Sequence, residues 1–272
     1  MDARVNPPNG IHPDIPFADY LRLPRVSAHG LMQIERSPAH YRHAIDTPRE
    51  PTPAQALGTL SHLAILEPDR FDSEVFVAPE VNKRTKAGKA ELEAWQASLP
   101  DDAVIADPDH HALACAMRES VMAQPYARAL LEDGSAEQTM LATDHETGID
   151  LKARADWLPS GHAAIVDLKT AQDASETAFA RAAGNFKYHI QAAFYTDIAK
   201  AVELGDRAFV FIAVETAPPH AVALYQLDDE AMHSGRIRYQ RALDRYRDCR
   251  DSWQWPGYAQ EIQPLTLPKW SL

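Results

Sequence analysis

The segment DWLPSGHAAIVDLKT, which begins at Asp156, contains Asp167 and Lys169 only two residues apart. Its apolar stretch HAAIV follows a Pro-Ser-Gly turn and ends in β-branched residues, a pattern typical of a strand. Because side chains alternate along a strand, Asp167 and Lys169 project to one face, while Leu168 projects to the other. A carboxylate and an ammonium group are therefore held side by side.

The preceding segment, GIDLKARADWL, also alternates charged and apolar residues, which predicts a second strand with one charged face. If the two strands pair as a hairpin, Asp156 faces Asp167, and two carboxylates converge with Lys169. Like charges at close range are unfavourable, so such a cluster favours a bound divalent cation, and oxygen ligands suit Mg²⁺ or Mn²⁺. The spacing is equally compatible with an exposed hairpin face of solvated charges.

The pattern of elements changes near Glu137, from helical before it to strand-like after it. A helical stretch at about 175–202 and a charged helix at about 230–249 accompany the strands. The order predicts an α/β domain with a mixed sheet, preceded by helices. The predicted strands are EQTMLAT, IDLKARADWL, HAAIVDLKT, RAFVFIAVET and AVALYQLD.

The N-terminal part begins with a Pro-rich segment to about Pro24, which we interpret as an extended arm or irregular loop. SAHGLMQIERSPAHYRHAI predicts two helices broken at its Ser-Pro step, and PDHHALACAMRESVMAQP predicts another. Between them, TPAQALGTLSHLAILEP has Thr52 as N-cap and a stop at Pro68. This helix has little polar surface, so we expect His62 to face protein rather than bulk water.

The helical stretch after the third strand carries Tyr188, Gln191 and Tyr195 at spacings of three and four residues, and hence on one face. Such a polar stripe can point into a functional site. The same spacing also fits partly buried tyrosines beside an ordinary polar neighbour.

The composition limits the classes of protein to consider. The chain has 272 residues, 45% of them hydrophobic, and we interpret 1–272 as one domain with a mainly helical part at about 25–135 and an α/β core at about 136–272. The 39 acidic and 27 basic residues give a formal charge of −12, which argues against polyanion binding over the whole surface but allows a basic cleft. Cys115 and Cys249 lie far apart without CxxC spacing, which argues against a disulfide scaffold, a zinc knuckle and an iron-sulfur cluster. Without a recognisable signal or membrane segment, we expect a cytoplasmic protein.

Four short motifs together resemble a known family. Gly58-x-x-x-His62, Asp156, Asp167-Leu168-Lys169 and Gln191-x-x-x-Tyr195 occur in the order typical of the RecB-type branch of the PD-(D/E)xK nucleases. More narrowly, the chain is similar to RecE-type exonucleases along most of its length. Each motif alone is weak, but their joint order is specific. The resemblance implies a restriction-endonuclease-like core.

The resemblance also implies roles for individual residues. His62, Asp156 and Asp167, with the carbonyl of Leu168, would bind Mg²⁺, for which Mn²⁺ can substitute. Without the resemblance, His62 could equally be a structural histidine, and Lys169 could be a simple ion-pair partner of Asp167. Lys169 would activate water and stabilise charge on the phosphate. Glu137 matches an additional acidic position of the family, although a solvated strand-edge glutamate fits the sequence equally well. Gln191 and Tyr195 would be supporting groups.

Two further positions bear on the resemblance. The motif name calls for proline before the first aspartate, and this chain has Ala155 there. Proline is not a ligand, so the departure does not put activity in serious doubt. Gly58 lies one turn before His62, and we expect its missing side chain to permit close approach of the sheet.

A nuclease must bind a polyanion, so basic clusters are candidate DNA contacts. The segment NKRTKAGK contains Lys83, Arg84, Lys86 and Lys89, and the late helix carries Arg238, Arg241 and Arg245 at positions i, i+3 and i+7. The second group fits an ordinary solvated helix face equally well.

The implied function is magnesium-dependent degradation of linear double-stranded DNA, 5′ to 3′, to leave 3′ single strands for recombination by annealing. The implied partners are duplex DNA ends, a single-strand annealing protein of the RecT type, and further copies of the chain in a homo-oligomer such as a tetramer. The alternatives are a structure-specific or repair endonuclease of the same superfamily and an inactive DNA-binding module.

Overall fold

A computed structural model describes residues 6–47, 52–82, 84–101 and 103–267 of the chain. The strands are β1 (Gly10–His12), β2 (Val75–Val77), β3 (Val104–Ala106), β4 (Gly134–Thr143), β5 (Asp150–Pro159), β6 (Ala164–Ala171), β7 (Ala208–Glu215) and β8 (Val222–Gln226). The helices are α1 (Phe17–Arg22), α2 (Ala28–Arg36), α3 (Pro38–Asp46), α4 (Pro53–Leu66), α5 (Pro68–Glu74), α6 (Lys86–Gln96), α7 (Pro108–Ala123), α8 (Pro125–Leu131), α9 (Glu176–Asn185), α10 (Tyr188–Ala201) and α11 (Asp229–Ser252).

The main sheet has six strands in the order β1-β4-β5-β6-β7-β8. β6 and β7 run parallel, and the other neighbouring strands are antiparallel. The predicted α/β class, with a mixed sheet preceded by helices, is therefore confirmed. β2 and β3 form a separate parallel pair. None of the helices in the described part of the chain is long and apolar enough to cross a bilayer.

Helices cover both faces of the main sheet. On one face, Ile165 of β6 and Phe211 of β7 pack in a cluster with α2, α10 and α11. On the other face, Val166 and Leu168 pack in a cluster with α4, α7 and α8. This alternation along β6 confirms that Leu168 and Asp167 project to opposite sides of the strand.

The helical stretch predicted at about 175–202 is confirmed as helical, but it consists of two helices. It is divided into α9 and α10, because Lys187 takes a left-handed backbone conformation with φ of 59°. α-Helical residues need negative φ, so a residue in this region ends one helix and lets the next begin in a new direction. The break places Tyr188 in the first turn of α10.

The Pro-rich arm is more ordered than predicted, because it adds edge strand β1 to β4 and continues into α1. Two buried cations hold this segment. Arg25 donates hydrogen bonds to the side chains of Asn6 and Asn9 and to the carbonyl of Ala142. Lys152 donates to three carbonyl groups at the C-terminal end of α1, at distances between 2.8 and 3.0 Å. The charged face predicted for β5 is thus partly covered by protein.

Candidate metal and catalytic centre

The site lies where β5 and β6 separate. These strands pair through Trp157 and Val166, and this register places Asp156 opposite Asp167. The hairpin pairing that the sequence suggested is therefore confirmed. Beyond that pair, the N–H group of Leu168 donates to Oδ2 of Asp156 at 2.9 Å instead of to the β5 backbone. The gap between the strands exposes backbone groups that site side chains can use.

His62 enters this gap from α4, which packs on the opposite layer to α10. Its Nε2 lies 2.9 Å from the carbonyl oxygen of Leu168. Because a carbonyl only accepts hydrogen bonds, the ring proton belongs on Nε2, and Nδ1 keeps a free lone pair in the neutral ring. Nδ1 lies 3.6 Å from Oδ2 of Asp156. Both backbone groups of Leu168 that face β5 are therefore bonded by predicted site residues.

Glu137 is brought to the same place by an irregularity in β4. Ala136 pairs with Trp157 and Gln138 pairs with Ala155, but the ladder is interrupted between them, where Glu137 would face Asp156. Glu137 has a φ of 54°, a left-handed conformation that is unfavourable for a residue with a side chain. This conformation breaks the alternation of β4 beside the gap.

His62, Glu137 and Asp156 form the candidate metal-binding group. Each offers one ligand atom, and the three atoms lie within 4.8 Å of one another. One imidazole nitrogen and two carboxylates make a donor set that suits Mg²⁺ or Mn²⁺. Mg²⁺ holds its ligands at about 2.1 Å, so two atoms up to about 4.2 Å apart can share one ion without moving. Nδ1 of His62 and Oδ2 of Asp156 are 3.6 Å apart, which is within that limit.

Burial and the neighbouring Asp167 carboxylate raise the pKa of Asp156 from 3.8 to about 6. Ionised Asp156 is thus unfavourable in the protein alone. A cation bound beside it would favour the ionised form, which is the form that binds a metal.

Asp167 is almost completely buried, and its carboxylate is held by protein groups. Gln191 Nε2 donates to Oδ1 at 2.6 Å, and the ammonium of Lys169 lies 2.5 Å from Oδ2. No hydrogen bond of good geometry reaches Oδ2 within the described chain. The structure therefore places Asp167 beside the group formed by His62, Glu137 and Asp156 rather than within it. Its predicted role as a ligand remains a prediction.

Lys169 is shielded by the ring of Tyr188, whose centroid lies 5.0 Å from Nζ. Burial lowers the pKa of Lys169, but the carboxylates of Asp167 and Asp156 outweigh it and raise the pKa above its ordinary value. The side chain is therefore a cation at neutral pH and acts as a donor, not as a base.

The polar stripe on α10 does point towards the site. Gln191 reaches Asp167, while Tyr195 packs edge-on against Phe209 with ring centroids 6.0 Å apart. Burial raises the pKa of Tyr195 well above 10, so its phenol stays neutral. These contacts are compatible with the predicted supporting roles of Gln191 and Tyr195.

For two residues at the site the sequence predicted no individual role. Arg154 donates to Oε2 of Glu137 at 2.5 Å, and its other contacts reach Thr139 and the carbonyl of Ile15. Tyr188 covers Lys169. The available signals were the position of Arg154 two residues before Asp156 on a strand, and the spacing of Tyr188 from Gln191.

The expectation for Gly58 is not supported by the packing. A Cβ atom at this position would lie 3.8 Å from Oγ1 of Thr170, which is an ordinary contact distance. α4 therefore has room for a methyl group where it approaches β6.

The predicted basic segment lies at the N-terminus of α6. Lys83 is outside the described residues, whereas Arg84, Lys86 and Lys89 are exposed. Among the described residues, these three side chains form no ion pair. Their predicted contact with DNA remains a prediction.

Solved structures of other proteins resemble this chain in fold. A candidate exonuclease from Eubacterium rectale has a similar structure, with 16% identity, coverage of 89% of this chain and 91% of that chain, and a TM-score of 0.54. A phage-related exonuclease from Haemophilus somnus gives 14% identity, coverage of 85% and 96%, and a TM-score of 0.37. A search of curated proteins finds no match.

The family model described as a PDDEXK-like domain of unknown function (DUF3799) matches residues 27–268. The match includes β4 to β8 and every predicted site residue. Together with the Eubacterium rectale structure, it confirms the predicted PD-(D/E)xK core. The chain belongs to the PDDEXK-like DUF3799 family.

Proposed function

We propose that this protein is a metal-dependent nuclease that degrades linear double-stranded DNA from its ends. The observation that carries the proposal is the group of His62, Glu137 and Asp156, whose ligand atoms gather within 4.8 Å beside the ammonium of Lys169. A cation site next to a fixed positive donor is the arrangement that phosphodiester hydrolysis requires, since negative charge develops on the phosphate.

His62, Glu137 and Asp156 would hold Mg²⁺, or Mn²⁺ in its place, and the Leu168 carbonyl and Asp167 are the further ligands expected from the family resemblance. When bound, the cation would supply Lewis-acid stabilisation of the phosphate and lower the pKa of the attacking water. The Arg154 contact orients the Glu137 carboxylate, and the Leu168 contact orients the His62 ring, so both ligands are positioned before a metal binds.

Lys169 would stabilise the developing charge and orient the water. Its raised pKa keeps it protonated, and its contact with Asp167 fixes the position of Nζ. Gln191 holds the opposite oxygen of Asp167, so α10 controls where the ammonium points. Tyr195 supports the same helix face through its packing.

The more specific proposal rests on the resemblance to RecE-type exonucleases. It comprises 5′ to 3′ polarity, 3′ single-stranded products for recombination, a RecT-type annealing partner and assembly as a homo-oligomer such as a tetramer. The exposed basic residues at the start of α6 are candidate contacts to the duplex.

The test is digestion of linear duplexes labelled at the 5′ or the 3′ end, beside closed circular DNA, with Mg²⁺, Ca²⁺ or EDTA. We expect early release of the 5′ label with Mg²⁺, an intact circle, binding with little cleavage in Ca²⁺, and no cleavage in EDTA. Early release of the 3′ label would reverse the polarity.

Cleavage of the circle would favour the endonuclease alternative. Binding of DNA without hydrolysis under any metal condition would favour the inactive DNA-binding module. Full activity in EDTA would contradict the metal site itself.

A further inference from the structure

A groove of about 680 Å³ lies along α11, on the side that faces Glu35 of α2. Three arginines of α11 line it at positions i, i+3 and i+7, so their side chains follow one face of the helix. They are Arg238, Arg241 and Arg245. Glu35 and Glu230 are the acidic residues of the lining. The groove contains none of the residues assigned above to the candidate metal and catalytic centre.

The arginines of α11 divide into two groups by their ion pairs. Four of them pair with carboxylates: Arg236 with Asp197, Arg238 with Glu35, Arg247 with Asp244 and Asp248, and Arg250 with Asp251. Arg241 and Arg245 are exposed, and within the described residues they form no ion pair. Within the described part of the chain, the other arginines of the helix are therefore paired, and the two unpaired guanidinium groups both lie in the groove.

Glu35 does not cancel these two charges. Its carboxylate accepts hydrogen bonds from Arg238 and from Lys187. Burial raises the pKa of Glu35, but these two hydrogen bonds outweigh it and hold the pKa below its ordinary value. Glu35 is thus an ionised group that is already paired with two cations.

The start of α10 lies between the groove and the candidate active site. Nη1 of Arg238 lies 2.9 Å from Nε2 of His189. Tyr188, the preceding residue, covers the ammonium of Lys169. Gly235 of α11 packs so closely on this turn that a Cβ atom there would lie 2.1 Å from the carbonyl oxygen of His189. The packing of α11 on the start of α10 therefore links the groove, through Arg238 and His189, to the residue that covers Lys169.

We propose that the groove between α2 and α11 binds the phosphate backbone of the DNA strand that extends from the active site. Arg241 and Arg245 are one helical turn apart, a separation of about 6 Å along the axis. This separation is comparable to the step between successive phosphates of one strand. Guanidinium groups bind phosphate oxygens through paired hydrogen bonds. The inference rests on the proposed nuclease function, because the strand in the groove is the one presented to Lys169.

The test compares two double variants that remove the same charge from the same helix. Arg241→Ala/Arg245→Ala changes the groove, and Arg247→Ala/Arg250→Ala is the matched control outside its lining. Binding of a labelled linear duplex is measured by fluorescence anisotropy in Ca²⁺ over a range of salt concentrations. Thermal unfolding of both variants checks that they are folded, and the single Arg241→Ala variant provides a second measurement.

We expect the groove variant to bind DNA at least tenfold more weakly than the parent at about 0.1 M salt. The slope of log K against log salt should fall by about 0.9 for each lost phosphate contact, hence by about 2 in the double variant. The control should keep the parental affinity and slope within twofold. A groove variant that binds with the parental affinity and slope overturns the proposal.

A small phosphodiester, bis(p-nitrophenyl) phosphate, separates this inference from the proposed function. It fills the active site without reaching the groove, so parent and groove variant should hydrolyse it at equal rates in Mg²⁺. Slower hydrolysis by the groove variant would place the arginines in the catalytic centre and overturn the proposal as stated. If the parent hydrolyses neither this compound nor DNA, the proposed function fails, while the affinity comparison still decides whether the groove binds DNA.

Discussion

Replacing Asp156 by Asn should stabilise the metal-free protein at neutral pH. The carboxyl of Asp156 is largely buried, and burial together with Asp167 raises its pKa from 3.8 to about 6. In the unfolded chain this carboxyl returns to its ordinary pKa. Asn has nearly the same shape, and its side-chain oxygen can accept the hydrogen bond that Leu168 N–H donates to Asp156.

The direction in which stability changes with pH follows from proton binding. Between pH of about 4 and about 6 the folded protein holds a proton on Asp156 that the unfolded chain has lost, so stability falls as pH rises through this window. At pH 7 the carboxyl is ionised in both states, and the folded state carries the full free-energy cost of an ionised carboxylate at this buried position. A pKa near 6 instead of 3.8 corresponds to roughly 3 kcal/mol. We take this as an upper value and expect Asp156→Asn to gain about 1 to 3 kcal/mol at pH 7.

The assay is urea unfolding of EDTA-treated protein from pH 4 to pH 8, repeated with Mg²⁺. The gain from Asp156→Asn should shrink towards pH 4, where the parental carboxyl is protonated. Mg²⁺ should stabilise the parent and have little effect on the variant, since binding to the folded state alone raises its stability. Asp206→Asn is the control, because Asp206 has a side chain that is 89% exposed.

The reasoning is refuted if metal-free Asp156→Asn is no more stable than the parent at pH 7. A gain that is equally large at pH 4 would also refute it, because the effect would then not come from ionisation.

Three further predictions test other parts of the site and fold. Because the family resemblance implies that Asp167 is a ligand, Asp167→Ala should lose metal binding and cleavage together, whereas Lys169→Ala should keep metal affinity in calorimetric titration and slow single-turnover cleavage by roughly 10²-fold; a near-parental rate would reduce the lysine to an ion-pair partner. Gly58→Ala should raise or preserve the melting temperature, because helix interiors favour alanine over glycine by about 0.5 to 1 kcal/mol and the methyl group has room; marked destabilisation would contradict the packing. Lys152→Met should lower the free energy of unfolding by about 2 to 4 kcal/mol and make the N-terminal segment sensitive to protease, because one buried and two partly buried carbonyls lose their donor; an unchanged unfolding curve would show that the arm does not depend on this contact.

Local patterns in the sequence were sufficient for most of the elements around the site. Strand-like segments after Glu137 predicted β4 to β8, and the alternation of side chains along a strand correctly placed Asp167 and Lys169 on one face of β6. Capping and breaker residues predicted α4 from Thr52 to its end before Pro68, and the structure has a capping box at Thr52. These features depend on backbone geometry and on neighbours within a few residues, so the sequence alone carries them.

The arrangement of the site depended on contacts between residues far apart in the chain. The separation of β5 from β6 lets His62, about a hundred residues away from Leu168, bond its carbonyl, and the left-handed backbone of Glu137 brings that carboxylate towards Asp156. Neither feature has a local pattern, because a strand interruption is stabilised by the partners that the surrounding layers supply. Residue types and spacing therefore determined which chemistry was available, while the packing of α4 and α10 on opposite faces of the sheet decided which donors meet.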